Sequence, residues 1–501
     1  MPSTARKQTS GDEARGGAES SDGRLAWPGW LLGAALLAGC ASMAPPHQTP
    51  PMAVPNAWPG DVQPGAPEGA PRAVQLDWRG YFVDPRLQQL IATALDNNRD
   101  LRVAMLRVDE ARAAYRIQRS EQFPAIGLGA QGTRARVPGD LNVTGQPVIS
   151  TDYEFYVGLS SWELDLWGRV RSLKEAALQQ YLATDSAQRA VQLTLVAQVA
   201  NSYLALRELD ERLALTRQTI ATRQESYRIF SRRHEVGSAS KLELTDVQTL
   251  LTQAQALGAQ LEQERATQAH ALAQLVGAPV DLAPDDTRFD DDSVFAPLQV
   301  GLPSDLLADR PDIQAAEYRL KAANANIGAA RADFFPRIAL TGSFGTASAQ
   351  LDGLFQAGSR SWAFVPSVTL PVFDAGRRQA GLALSEVRRD IAVADYDNTV
   401  QNAFREVADA LSARQWLVEQ VRIQRETVAA QTERARLAKL RYDSGAIPYL
   451  EVLDAQRALL SAEQELVRAR RALLSSEVSL YAALGGGVST PAEAGVPHQG
   501  P

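Results

Sequence analysis

The side chains that could perform catalysis or bind a metal are few in this chain and widely separated. It has one cysteine, Cys40, and four histidines, His47, His234, His270 and His498, and no two histidines form a closely spaced ligand pair. The sequence shows neither a Ser-His-Asp arrangement nor a phosphate-cradling Gly-x-x-x-x-Gly-Lys loop. We therefore predict that the protein is not an enzyme and holds no metal or organic cofactor.

Two pairs of acidic residues have a spacing that could serve ion binding. The pairs are Glu243 with Asp246, and Glu451 with Asp454. Residues three apart lie on one helix face, so each pair would present two carboxylates together. They could attract cations if they faced a narrow passage. They could equally stabilise the positive end of a helix, and Pro448 stands where helices often begin.

Composition indicates a folded chain that does not bind nucleic acid. Hydrophobic residues make up 45% of the 501 residues and charged residues 22%. The formal net charge is −7. A general nucleic-acid binder needs a basic face, which this balance does not favour.

The N-terminus has the pattern of a secretory signal. Residues 30–39 read WLLGAALLAG, an apolar run too short to span a bilayer, and Cys40 follows. The segment Leu37-Ala38-Gly39-Cys40 resembles a bacterial lipoprotein cleavage site, which implies that 1–39 is removed and that Cys40 carries lipid. Ala41 in place of aspartate implies release to the outer membrane. Charges before the apolar run cancel, which is compatible with a start downstream of Met1. The alternative is a buried or incidental cysteine.

Two further segments are too poor in large apolar residues to form a core. Residues 40–76 are rich in Pro, Ala and Gly, and we predict a flexible tether that follows the lipid. Residues 488–501 are predicted to be a disordered tail.

Between these segments the sequence contains an internal repeat. A separation of 208 residues recurs between matched glycines, which are Gly168 and Gly376, Gly237 and Gly445, and Gly277 and Gly485. Phe123-Pro124 matches Phe335-Pro336 at a separation of 212, so a surface loop should absorb four residues. We assign residues 77–300 to the first repeat and 301–487 to the second.

Each repeat is predicted to be mainly helical. We expect helices over 86–120 and 304–332, very long helices over 169–235 and 377–443, and return helices over 240–276 and 448–484. No proline or glycine occurs from Arg169 to Arg233. A helix of about 65 residues extends roughly 100 Å and must pack along neighbours. Gly237 and Gly445 would mark the tips where the chain turns back. Helical patterning alone also fits an antiparallel coiled coil in a cytoplasmic scaffold.

Segments of alternating character separate the first two helices of each repeat. Ile126, Leu128 and Ala130 alternate with small residues, and the same pattern occurs over 153–166, 338–344 and 362–372. The phase shifts near Ser160-Ser161. Period-two alternation predicts strands with two different faces. Aromatic residues near the strand ends suit a membrane-interface girdle. They are Tyr153, Phe155, Trp162, Trp167, Trp362 and Phe364.

Four strands of membrane-spanning length cannot close a barrel, and lipid does not tolerate open sheet edges. The chain should therefore oligomerise, and three copies would supply twelve strands. The alternative is a pair of soluble hairpins that cap a coiled coil.

Several motifs together resemble the TolC-like outer-membrane factors, in the lipoprotein branch that serves RND-type efflux pumps. The resemblance covers about residues 77–487. The motifs are WELDLWGR at 162–169, ADRPDI at 308–313, LPVFDAGRR at 370–378 and GAIPYLEVLDAQ at 445–456.

The resemblance implies a homotrimer in which a twelve-stranded transmembrane β-barrel continues into a long periplasmic α-helical barrel. Such a trimer is a passive duct whose closed end opens when a periplasmic adaptor protein and an inner-membrane pump dock. The energy comes from the pump, and the sequence does not reveal the cargo.

The resemblance also implies where the duct closes. Glu451 and Asp454 fall where the family has an acidic entrance ring, and crowding there should raise the pKa of some carboxyls. Glu243 and Asp246 occupy the matching places in the first repeat. Tyr442 aligns with a tyrosine of the closing contacts, whereas Ile447 stands where the family has an arginine. A scaffold or stalk lipoprotein without a pore is the alternative function.

Overall fold

The computed structural model describes residues 43–48, 58, 71–284, 294–301 and 303–487. The predicted signal peptide, the lipid site at Cys40 and the predicted tail lie outside these residues.

The described chain is mainly helical, and its elements occur in two matching series. The first series is α1 (Trp78–Tyr81), α2 (Pro85–Asn97), α3 (Arg99–Ser120), β1 (Ile126–Val137), β2 (Val148–Glu163), α4 (Arg169–Glu235) and α5 (Lys241–Val276). The second is α6 (Leu306–Asp309), α7 (Pro311–Ala332), β3 (Arg337–Ser348), β4 (Arg360–Thr369), α8 (Arg377–Asp443) and α9 (Tyr449–Ala483). This order confirms the repeat.

The two long helices have the bounds that the sequence predicts. Each has 67 residues, which corresponds to about 100 Å. Along its length α4 packs against α3, α5, α7 and α9, and α8 packs against α7 and α9. In the described part of the chain, no helix combines the length and apolarity needed to cross a membrane.

The predicted helices over 86–120 and 304–332 are wrong as continuous elements, because each is interrupted. Asn98 ends α2 and caps α3: its Oδ1 accepts from Leu101 N at 2.9 Å, and its Nδ2 donates to Leu275 O at 2.8 Å. In the second repeat Arg310 separates α6 from α7 and donates to Ala483 O at 2.9 Å. In both repeats the interruption thus binds the end of the return helix.

The four strands form one antiparallel sheet in the order β1-β2-β3-β4. The register of β2 on β3 shifts between Leu159 and Trp162, as the phase change in the sequence predicts. This bulge lets Trp162 continue on the apolar side of β2. Within the described chain β1 and β4 have no strand beyond them, so the sheet has two open edges.

The main core lies where the return helices end, at the middle of the long helices. Tyr81 and Tyr481 stack with ring centroids 4.2 Å apart, and both rings are buried. Tyr481 Oη donates to Leu76 O at 2.9 Å, and Tyr81 Oη donates to Glu477 O at 3.0 Å. This core joins the beginning of the first repeat to the end of the second.

The described parts of the predicted tether, residues 43–48, 58 and 71–76, are not free of the body, which corrects that interpretation. Trp58 Nε1 donates to Gly301 O at 3.1 Å, and Ala73 is buried in the main core.

Residues 43–48 are bound to the body as well. The carbonyl of Pro45 accepts from Asn324 at 2.7 Å, and that of Met43 accepts from Arg331 at 3.4 Å. Ala44 lies so close to Gly328 that a Cβ there would stand 2.7 Å from Ala44 N. Prolines cannot donate through their nitrogen, but their carbonyls accept from the polar side chains of α7. The segment therefore lies along α7.

Candidate functional site: a two-faced sheet and the helix tips

One face of the sheet is a continuous apolar surface. Directly paired residues point to the same side, and the register links Leu128, Val157, Phe344 and Trp362 in one row across all four strands. The apolar residues on this face are Ile126, Leu128, Ala130, Tyr153, Phe155, Val157, Leu159, Trp162, Ile338, Leu340, Phe344, Trp362, Phe364, Pro366 and Val368. Leu128 is 75% exposed and Trp362 76%. Such a surface requires lipid or a partner.

The opposite face is small and polar. It carries Gly127, Gly129, Gln131, Thr133, Asp152, Glu154, Tyr156, Gly158, Thr341, Ser343, Gly345, Ser361, Ala363 and Ser367. A Cβ would meet the tyrosine ring at Gly129, which can move aside, and backbone at Gly345, which cannot. A Cβ at Gly129 would lie 2.5 Å from Tyr156 Cζ, and one at Gly345 would lie 2.0 Å from Phe155 O. The sheet thus separates an apolar side from a side that water can wet.

The second part of the site is formed by the two turns at the far ends of the long helices. Gly237 and Gly445 have φ values of +76° and +78°, so both occupy the left-handed region that ends a helix and turns the chain. Their predicted role as helix tips agrees with this geometry.

An aromatic cluster holds the two turns together. Phe230 of α4 contacts Tyr449 of α9 with centroids 4.5 Å apart, and Tyr442 of α8 contacts Tyr449 at 4.8 Å. Buried Leu244 and Leu453 complete the contact. The tip of each repeat therefore packs on the tip of the other within one chain.

A hydrogen bond that the sequence analysis did not predict crosses this cluster. Arg233 Nη1 donates to Tyr442 Oη at 2.5 Å. Arg233 lies on α4, so it places a cation next to Tyr442. Only the tertiary structure shows this contact, because the two residues are 209 positions apart in the sequence.

Asp454 is held by cations rather than crowded by carboxylates within its own chain. Arg434 of α8 donates to Asp454 at 3.0 Å, and Arg457 of α9 also donates to it. These contacts, first the hydrogen bond from Arg434, lower the pKa of the Asp454 carboxyl. The acidic ring would form only between chains, so the raised pKa values expected there stay a prediction. Arg434 and Arg457 are further residues that sequence reasoning missed.

The other acidic residues differ in environment. Glu451 is exposed one turn before Asp454 and forms no ion pair with any residue that the structure describes. Glu243 accepts from Ser240 N at 2.7 Å, while Ser240 Oγ accepts from Glu243 N at 3.1 Å. The bond from Ser240 lowers the pKa of Glu243. This capping box favours the structural role of Glu243. Asp246 follows on the same helix and is half-buried.

No three His, Cys, Asp or Glu side chains come together as a metal site among the described residues. The site instead consists of a sheet with one apolar and one polar face, two long helices, and charged residues at the helix tips.

Comparison with known proteins agrees with this geometry. The family model described as "Outer membrane efflux protein" matches residues 90–278 and 302–486. The chain is 46% identical over 455 residues to a probable efflux pump outer membrane protein, TtgC, of Pseudomonas putida, covering 90% of this chain and 93% of that relative. It is 43% identical over 456 residues to the outer membrane protein OprJ of Pseudomonas aeruginosa, covering 90% and 94%.

Solved structures show the same fold. The open state of the Neisseria gonorrhoeae MtrE outer membrane channel superposes with a TM-score of 0.81 at 38% identity, covering 90% of this chain and 99% of that one. A membrane protein from Pseudomonas aeruginosa gives a TM-score of 0.84 at 42% identity, covering 89% and 100%. The chain therefore belongs to the family of outer membrane efflux proteins and is an outer-membrane subunit of an efflux system.

Proposed function

We propose that three copies of this chain form a passive duct, with twelve strands in the outer membrane and the long helices as its periplasmic wall. The observation that carries the proposal is the sheet with an apolar face, a polar face and two open edges. Open edges are not stable in lipid, so β1 of one copy must pair with β4 of the next. The apolar faces then form the lipid-facing surface and the polar faces line the lumen.

The duct receives its cargo from a periplasmic adaptor protein and an inner-membrane RND-type pump. The tips support this role because they combine the aromatic cluster with the charged residues Arg233, Glu451 and Asp454. Docking at the tips would separate the contacts that hold the two turns together. In the duct Glu451 and Asp454 would form the acidic entrance, with Tyr442 in the closing contacts.

A covalent lipid on Cys40 would anchor the chain at the membrane. Met43 lies beside Arg331, near the end of α7 from which β3 begins. Pro45 lies farther from the sheet along α7, at Asn324. The side chain of His47 lies farther still, 3.8 Å from that of Glu317. The described segment thus runs away from the sheet as it leaves residue 43. That course supports an anchor at the membrane end.

Relatives suggest the class of cargo. Similar proteins of Pseudomonas putida are described as a toluene efflux and an antibiotic efflux outer membrane protein, at 46% and 45% identity. We infer that this duct carries apolar organic solvents and antibiotics, selected by the pump.

The decisive experiment combines mass and conductance. Purified protein should have the mass of three chains in detergent and should open cation-selective channels in planar bilayers. Neutralising the entrance with E451Q/D454N should reduce cation selectivity, whereas neutralising the capping residue with E243Q should leave it unchanged. A monomeric protein that leaves bilayers silent would refute the duct.

A pore-free scaffold remains the competing function, and the apolar face argues against it. In a water-soluble scaffold, Leu128, Trp362 and Val368 would be exposed to water on one side of the sheet, which is unfavourable. It predicts soluble trimers once the lipid is removed, which the same mass measurement without detergent would reveal.

A further inference from the structure

Three arginines lie on the apolar face of the sheet at the end that carries the loops. Arg134 pairs with Thr151 and Arg136 with Ile149, so on β1 both side chains point to the same face of the sheet as Leu128 and Ala130. Arg360 pairs with Thr346 and continues the row of Trp362 and Phe364 on β4. All three side chains are exposed. The helices join the opposite end of the sheet, so these arginines mark the extracellular rim if the duct is oriented as proposed.

Along each strand pair this face passes from apolar to aromatic to cationic residues, and the register places Arg360 level with Ala130, four residues farther from the loops than Arg134. On β1 and β2 the apolar rows of Leu128 and Ala130 are followed by the row of Tyr153 and then by Arg134. On β4 the sequence Val368, Phe364, Trp362 leads to Arg360 on the same face. An apolar belt, an aromatic girdle and then a cation is the order expected from the bilayer core to the lipid headgroups.

The positive charge of this rim is not neutralised by an ion pair within the described chain. No ion pair joins Arg134, Arg136 or Arg360 to any described residue. The carboxylates of the same half of the sheet, Asp152 and Glu154, lie on the opposite face.

At the other end of the sheet the arginines are compensated. There Arg337 and Arg169 both bind Glu163, at 2.6 Å and 2.8 Å. Arg337 and Arg169 thus share a carboxylate at the helix end, whereas no carboxylate of the part of the chain that the structure describes binds the three arginines of the rim.

We propose that Arg134, Arg136 and Arg360 bind the phosphate groups of phosphorylated lipid headgroups in the outer leaflet. Arg134 and Arg136 are two residues apart on one face, which places their Cα atoms about 7 Å apart, so both guanidinium groups can reach one phosphate. Arginine suits this ligand because its planar fork donates two parallel hydrogen bonds. Closing the ring brings β4 of one copy beside β1 of the next, which adds Arg360 to the same rim. This inference rests on the proposed outer-membrane orientation.

The test measures binding of lipid A to purified protein in detergent, with native mass spectrometry as the readout. The variant R134Q/R136Q/R360Q should bind lipid A about a hundredfold more weakly, at roughly fivefold for each cation removed from an anionic lipid surface. The variant R134K/R136K/R360K keeps the charge but loses the planar fork, so it should bind lipid A more strongly than the glutamine variant and more weakly than the wild type. The matched control R228Q/R232Q/R436Q removes three exposed arginines from the helix tips and should bind lipid A as the wild type does.

Further arms identify the ligand and separate the two proposals. Dephosphorylated lipid A should bind the wild type and the glutamine variant equally weakly, and inorganic phosphate should not compete at millimolar concentration. Equal lipid A binding by wild type and glutamine variant would overturn the inference, and so would competition by inorganic phosphate. Conductance of each variant is recorded separately. If wild type and glutamine variant both conduct normally but bind lipid A equally well, only the lipid site is refuted. A wild-type protein that forms no channels in bilayers refutes the duct.

Discussion

Replacing Phe230 by alanine should loosen the periplasmic entrance without unfolding the protein. The Phe230 side chain is 3% exposed, contacts the tilted ring of Tyr449 and lies under the Arg233 guanidinium, whose Cζ is 5.4 Å from the ring centroid. Phe-to-Ala changes in cores cost about 3–5 kcal/mol. We take about 3 kcal/mol, because the tip is close to solvent and its cavity can partly collapse. This loss corresponds to about a hundredfold change in the ratio of separated to packed tips.

The assay is single-channel conductance in planar bilayers, with limited proteolysis of the turns as a structural readout. F230A should open more often and be cut faster near Gly237 and Gly445. The more conservative F230L should lie between it and the wild type. As a matched control, L261A removes a fully buried side chain from a cluster with Leu209 and Leu213, well away from the tips. L261A should lower the melting temperature while leaving conductance unchanged. If F230A conducts like the wild type while its melting temperature falls as much as that of L261A, the cluster does not hold the entrance closed.

Two further predictions concern the entrance charge and the sheet. Because the hydrogen bond from Arg434 lowers the pKa of Asp454 below its usual value near 3.8, this carboxyl stays ionised well into acid, and its contribution is lost only as pH falls through that lowered pKa. The difference in cation selectivity between wild type and D454N should therefore be the same at pH 5 and pH 8. If this difference disappears between pH 8 and pH 5, the contacts described for Asp454 are contradicted. In the sheet, G345V should prevent β2 from pairing with β3, since a Cβ at Gly345 would lie 2.0 Å from Phe155 O. Trimers in the outer membrane should then fall to a small fraction of the wild-type amount on immunoblots, whereas G127A, with nothing within 4 Å of its Cβ, should assemble normally; normal assembly of G345V would contradict the observed register.

The local sequence determined most of the elements. Helix propensity predicted both long helices with their observed bounds, Arg169–Glu235 and Arg377–Asp443, the first supported by the absence of proline and glycine from Arg169 to Arg233. Period-two alternation predicted the strands and even the phase change at Ser160-Ser161. These features are local, because the period of the side chains and the conformational freedom of glycine act over a few residues.

Sequence reasoning failed where a distant contact competes with local propensity. The interruption at Asn98 is stabilised by a local cap on Leu101 N and by a distant hydrogen bond to the carbonyl of Leu275 at the end of α5, and helix patterning shows nothing of the distant bond. The proline-rich segment 43–48 has the composition of a free tether, yet Gly328 and Asn324 of α7 bind it. In both cases the partner is more than 170 residues away, so its energy is invisible to any local pattern.

The acidic residues show the same division at the functional site. The sequence determined that Glu451 and Asp454 share a helix face and that Glu243 and Asp246 match them. Only the tertiary structure decided that Asp454 lies between Arg434 and Arg457, that Glu243 caps its own helix, and that Arg233 reaches Tyr442. The electrostatic environment of a charge depends on every element packed around it, and chain folding rather than residue order brings those elements together.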